Sequence, residues 1–158
     1  PGAEQLEELL HFWCAKLNRA GAQAIRELGL TASTDVTGFG LGGHLLEMAA
    51  ASHVTAELFL TEAPFLPEAL SQAVLGLIPA GTIQNRNHYL PRTLVRPGLD
   101  ELLVTLVFDA QTSGGLILGV PEALVPQAQA MLAAAGDLAL HIGRAIAPLP
   151  TGQALSLV

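Results

Sequence analysis

Lysine is almost absent from this chain. Lys16 is the only one in 158 residues, and the seven basic residues face fourteen acidic ones for a net charge of −7. That balance excludes a nucleic-acid module, which would present a basic face. It also constrains any phosphate-binding role: the anion's charge would have to be met by metal ions, by backbone N–H groups, or by basic residues supplied from elsewhere. Cysteine is equally scarce. Cys14 alone cannot form an internal disulfide, and a lone thiol fits a reducing cytoplasm. Its apolar helical setting beside Trp13 predicts that it is buried. Charged residues make up only 13% of the chain and hydrophobic ones 51%, against about 25% charged in an average soluble domain. Such a surface leaves apolar area that wants a neighbour. No apolar run reaches the roughly 18 residues needed to cross a bilayer, so no membrane segment is expected. The start, "PGAEQLEELLHFW", lacks a basic leader and a continuous apolar core, so it is not read as a signal peptide. Beginning on Pro1-Gly2, the chain is expected to be a piece of a longer protein, forming one domain over residues 1–158 with a helical lead-in over 1–30.

Periodicity supplies the elements. Leu6, Leu9, Leu10, Trp13 and Leu17 follow a helical rhythm, with Gly29 as a stop and Gly21 as the expected interruption into two helices. A short strand is predicted at 32–36. Leu41, Leu45 and Met48 then mark one stripe of a helix that ends near Ser52. Alternation predicts a strand over 54–60. "APFLPEALSQAVLGL" reads as a helix with Pro67 early, where proline is tolerated. "IPAGT" reads as a loop and residues 83–98 as irregular, with Arg86, Arg92 and Arg96 close together; they could meet a phosphate or a partner's carboxylates, but the simpler and favoured reading has them solvated on the loop. The run 102–108 is too short for periodicity to separate helix from strand. A polar loop at 109–115 leads into a strand at 116–120. "PEALVPQAQAMLAAAGD" is a helix ending at Gly136, and "LALHIGRAI" and "ALSLV" are two closing strands with "PTGQ" turning between them. Strands and helices intermix without a βαβ rhythm, which predicts an α+β fold with an open mixed sheet covered by helices.

Two loops carry the chemistry. "TDVTGFGLGGH" places Asp35 at a strand end, followed by Gly38, Gly40, Gly42 and Gly43 and a helix. A carboxylate there can ligate Mg²⁺, a hard cation that prefers oxygen donors. Glycines allow backbone to approach a phosphate, and a helix start offers free N–H groups. An equally simple reading has Thr37 capping the helix, Asp35 accepting turn hydrogen bonds, and the glycines permitting close packing. The spacing matches neither GxxxxGK[ST] nor GxGxxG. The second loop, "DAQTSGG", groups Asp109, Gln111, Thr112 and Ser113, more hydrogen-bonding side chains than a turn requires. His44 reads as a hydrogen-bonded structural residue. The other histidines have no zinc-site spacing, and no Ser-His-Asp or Cys-His set follows from residue order.

Taken together, the two loops resemble the selenophosphate synthetases (selenide, water dikinases). "STDVTGFGLGGHLLEMA" is similar to that family's "TDVTGFGLLGHLLEMA", and "DAQTSGGLILGVP" to its "DPQTSGGLL". Between them "IPAGTIQN" resembles "PGGTxxN", with Thr82 and Asn85 in register. "KLNRAGA" and "HIGRAI" match flanking segments, so the resemblance runs from Leu17 to Val158 in one order. Aminoimidazole ribonucleotide synthetases share the architecture without both loops.

The resemblance implies an α+β second domain of a two-domain enzyme that converts selenide, ATP and water to selenophosphate, AMP and phosphate. The family's reactive Cys or selenocysteine, its lysine and most of its metal-binding aspartates belong to the absent N-terminal domain, through which the full-length protein forms a homodimer. Cys14 is not that nucleophile. Asp35 aligns with a Mg²⁺ ligand, so the domain would add one carboxylate while closing over ATP. Thr34, Thr37, Gly38 and Gly40 would shape a nucleotide-proximal loop, and Gln111, Thr112 and Ser113 an interface loop. The isolated chain is expected to be inactive and its location cytoplasmic. The departures are Gly42 for leucine, Ala80 for glycine and Ala110 for proline, with Gly42 expected to loosen the helix start. The rival readings are an ADP-forming member of the same superfamily and a non-catalytic binding module.

Overall fold

A computed structural model describes residues 3–158; the Pro1-Gly2 start lies outside the described residues. Helix α1 (Ala3–Ala15) is followed by α2 (Arg19–Leu28), which ends at Gly29 in a left-handed conformation, φ 64°. The break falls at residues 16–18, not at Gly21. Gly21 is buried inside α2, where an added Cβ would stand 2.7 Å from Leu116 Cδ1. Here glycine lets a helix approach a strand. Lys16 holds this junction: its Nζ lies 2.8 Å from Asp137 Oδ1, 3.2 Å from the Gly136 carbonyl and 5.0 Å from the Trp13 ring centre. The chain's only lysine is therefore committed to structure, well removed in sequence from the glycine loop.

Strand β1 (Ala32–Asp35) pairs antiparallel with β4 (Leu116–Gly119), Ala32 opposite Gly119 and Asp35 opposite Leu116. Helix α3 (Gly40–Ala51) follows β1 and leads to β2 (Thr55–Leu58). A turn of 3₁₀-helix and α4 (Ala69–Val74) come next. Where the sequence reads as a loop and an irregular stretch, the structure has helix α5 (Ala80–Tyr89), a turn of 3₁₀-helix and strand β3 (Thr93–Val95). α5 has no apolar stripe to announce it; polar side-chain bonds and the buried Tyr89 hold it in place. The 102–108 run resolves as helix α6 (Glu101–Leu106). Asp100 caps it by accepting from the N–H groups of Leu102 at 2.8 Å and Leu103 at 3.4 Å. That cap is the sequence signal that decides between helix and strand.

After β4, a 3₁₀ turn enters α7 (Val125–Ala134), and β5 (Gly143–Ile146) and β6 (Leu155–Leu157) complete a second sheet of order β3-β6-β2-β5. The two closing strands do not pair with each other. β5 runs antiparallel to β2, whereas β6 lies parallel to both β2 and β3. The Thr55 hydroxyl explains the crossing: it donates to the Gln153 carbonyl and accepts from Leu149 N–H, tying the connection across the end of β2. This carries Leu155 and Leu157, both fully buried, into the core beside Ala56 and Leu58. Leu45, Leu46 and Ala49 of α3, Val104 of α6, and Val107 and Phe108 complete that core, each large side chain stabilising it by about 1.5–3 kcal/mol. The mixed sheet with packed helices agrees with the α+β expectation.

Cys14 is exposed, against the expectation of burial. None of residues 4–15 is buried, so a thiol on α1 has no core to enter. A maleimide or a disulfide reagent should therefore titrate about one thiol per chain without denaturant. Reaction only after unfolding would contradict the exposed position.

Candidate functional site

β1–β4 pairing brings the two polar loops together, since each leaves one end of the same two-stranded ribbon. Val36 N–H donates to Gly115 O and Gly114 N–H to Val36 O, both at 2.9 Å, and Gln111 N–H donates to Thr37 O at 3.0 Å. Helix α5 adds a third side. Thr82 donates its hydroxyl to Asp109 Oδ1, and Asn85 Nδ2 donates to Gly38 O at 2.7 Å and to Phe108 O at 3.1 Å. Gln111 Nε2 donates to Asp109 Oδ2 at 3.0 Å. The polar side chains of the second loop thus have a definite task. Asp109 ties it to α5 and Gln111 braces Asp109 and the first loop, while Thr112 is exposed and Ser113 half-buried.

The two aspartates differ sharply. Asp109 has both oxygens bonded internally. Asp35 is exposed at the end of β1, and no donor among the described residues reaches its carboxylate. Thr34 is half-buried, its hydroxyl donating to the Asp35 carbonyl at 3.2 Å. Thr37 does not cap α3; Phe39 stands at the N-cap, and no side chain caps there. Thr37 Oγ1 instead lies 3.1 Å from His44 Nε2, which Phe39 N–H also approaches at 3.4 Å. Because a backbone N–H can only donate, Nε2 accepts and the Thr37 hydroxyl donates as well. His44 is thus the structural residue its sequence setting predicts, one turn into α3 and holding the loop from below.

The glycines divide by position. Gly40 has φ 71°, and an added Cβ would lie 2.6 Å from Asp109 O. A Cβ on Gly42 would meet Phe108 Cε1 at 2.7 Å, and one on Gly43 the Tyr89 ring at 2.8 Å. These three are packing glycines. Gly42 does not loosen the helix start: its N–H donates to Val107 O at 2.7 Å, and its missing side chain makes room for the fully buried Phe108 ring. Gly40 N–H is likewise used, by Thr37 O. Only Gly38 is exposed with open space above it, so it is the one glycine of the loop that leaves backbone accessible to a ligand.

A scan against protein families matches residues 3–149 to AIR synthase related protein, C-terminal domain. The chain belongs to this family. Among curated proteins it is similar to the selenide, water dikinase of Nitratidesulfovibrio vulgaris (strain Miyazaki F), 46% identical over 99% of this chain and 45% of that protein. The selenide, water dikinase of strain DP4 is 53% identical over 84% of this chain and 38% of that protein. That of Geobacter metallireducens is 38% identical over 86% and 39%. The chain spans less than half the length of the curated relatives it matches.

In this AIR synthase related domain the donor chemistry of Asp35 suits a hard cation: an exposed carboxylate with no internal partner, beside an open backbone turn. It suits one ligand of a shared site, since among the described residues no three His, Cys, Asp or Glu converge. The arginines do not cluster. Arg86 pairs with Glu101 and Arg92 with Glu47, each at 3.0 Å. Arg96 instead lines a groove on the four-stranded sheet with Glu57, Glu62 and Arg144, away from the ribbon that carries the loops. Their places on α5, at the end of the 3₁₀ turn and just after β3 direct the three to different neighbours. No helix of the described residues is long and apolar enough to cross a membrane.

Proposed function

We propose that this chain is the C-terminal domain of a selenide, water dikinase, which converts selenide, ATP and water to selenophosphate, AMP and phosphate in the cytoplasm. The observation that carries the reading is the free Asp35 carboxylate at the meeting of the two family loops, whose one other acid, Asp109, is bonded internally. Asp35 would hold Mg²⁺ together with aspartates of an N-terminal domain, and that domain would supply the nucleophile and the dimer contact. Bound Mg²⁺ supplies charge neutralisation for the polyphosphate. The chain's own contribution is to close over ATP and present the Asp35 carboxylate and the Gly38 backbone to it. A lone carboxylate cannot position ATP or activate selenide, so the isolated chain would be inactive.

The test is nucleotide product analysis on the full-length protein, with and without selenide, for wild type and Asp35→Asn. Selenide-dependent AMP is expected, reduced roughly 100-fold or more in the variant, the scale of losing a group that stabilises transition-state charge. ADP as the sole final product would place the chain with an ADP-forming relative. AMP formation indifferent to Asp35→Asn would remove the metal role.

A further inference from the structure

We propose that Asn85 is a positioning residue that sets the crest of the glycine loop at its working distance from Asp35. The inference rests on the metal and nucleotide reading above, and concerns a side chain on a different element. Asn85 is half-buried on α5. Its Nδ2 makes two bonds, 2.7 Å to Gly38 O on the first loop and 3.1 Å to Phe108 O just before the second. Both partners are carbonyls that can only accept, so the amide can face them with its NH₂ group alone. One side chain thereby joins three segments.

The neighbouring ties show why the crest needs it. Asp35 is held from behind by its pairing with Leu116, and Val36 is buried. Gly38, three residues beyond Asp35, is exposed with no packing neighbour above it. The side-chain bond that reaches Gly38 comes from Asn85. Thr82, one turn earlier on α5, gives its hydroxyl hydrogen bond to Asp109 of the second loop. Asn85 therefore fixes the Gly38–Phe39 peptide at the crest, its carbonyl turned to α5 and its N–H turned to His44 Nε2, and with it the position of the exposed Gly38 backbone beside a ligand held by Asp35.

The test is Mn²⁺ binding to the full-length protein with a non-hydrolysable ATP analogue, followed by the loss of the free Mn²⁺ signal in electron paramagnetic resonance. The proteins compared are wild type, Asn85→Ala, Asn85→Asp, Asp35→Asn and Asp35→Asn combined with Asn85→Ala. Asn85→Ala should weaken binding about five- to ten-fold when Asp35 is present and less than about two-fold when it is Asn. Asn85→Asp keeps the size but turns an acceptor toward two carbonyls, so it should lose at least as much as alanine. A pure packing role would leave the aspartate variant close to wild type, and that result overturns the proposal. Equal losses in both Asp35 backgrounds, or unchanged binding, overturn it too. Unchanged binding in Asp35→Asn alone would sink the metal reading itself, separately from any effect of Asn85. Should the Asn85 variants fail to melt cooperatively, hydrogen exchange on the wild-type protein decides. The Mn²⁺–analogue complex should slow exchange over 36–40 and 108–111 together, and slowing confined to 36–40 rejects the coupling.

Discussion

Replacing Gly40 by alanine is expected to destabilise the chain by about 2–4 kcal/mol, lowering the thermal midpoint on the order of 10 °C. Two costs combine. The backbone stands at φ 71°, where a Cβ crowds its own carbonyl. The new methyl group would also meet the Phe108 carbonyl carbon and Asp109 O at 2.6 Å. Neither is the tip of a flexible side chain; both are backbone at the entry to the second loop, itself tied to α5 and to the residues after β1. The strain can be relieved only by pulling the two loops apart. Gly38→Ala is the internal control, since Gly38 lies two residues away with nothing within 4 Å of an added Cβ. Circular dichroism melts of both variants check the pair: a Gly40→Ala shift under about 2 °C, or equal shifts for both, would contradict the packing described.

Asp109→Ala should cost about 2–4 kcal/mol as well, for a different reason. The Thr82 hydroxyl is fully buried and donates to Asp109, so removing the carboxylate leaves a buried donor unsatisfied, a penalty of about 1–3 kcal/mol. Gln111 loses the acceptor that fixes its amide. Adding Thr82→Val removes the orphaned hydroxyl, so the double variant should recover about 1 kcal/mol or more relative to the sum of the single changes. Urea unfolding of the four proteins measures this coupling, and additivity within about 0.3 kcal/mol would show that the Thr82–Asp109 bond does not matter. The contrast with Asp35 is chemical. Both aspartates sit in polar loops, yet one serves to build the loop and the other is left with lone pairs for a ligand.

That contrast could not be read from sequence. Asp35 and Asp109 both looked like strand-end or loop carboxylates, and only the arrival of α5 separates them. α5 itself went unseen because its residues from Gln84 to His88 are polar throughout, and period-based reasoning needs an apolar stripe to find a helix. α3, with Leu41, Leu45 and Met48 on one face, was legible for the opposite reason. The loop pair was legible as two motifs, while their contact depends on the antiparallel register of β1 with β4, a long-range pairing that no local pattern encodes. The same limit explains β5 and β6. Each alternates well enough to be found, but alternation does not name the partner, and the parallel seat of β6 between β2 and β3 follows from the Thr55 tie and from the burial of Leu155 and Leu157. Gly21, Gly40 and Gly42 show the limit for single residues. Their composition suggests turns or ligand contact, whereas the structure uses them where another part of the chain passes too close for a side chain.

The interior position of β6 has a consequence for how a ribosome delivers this fold. β2 and β3 are not neighbours; β6, the strand made last among the described elements, lies between them. Until residues 155–157 have left the exit tunnel, β3 has no strand to pair with, and β2 can acquire only β5. During synthesis the nascent chain therefore carries an unfilled slot flanked by two backbone edges, with Ala56 and Leu58 of the future core beside it. Non-local closure of this kind is slow and exposes sticky edges in the meantime. Among the described strands β6 is consequently the one that seals the sheet, and the interval before it arrives is when a nascent chain would most benefit from a chaperone.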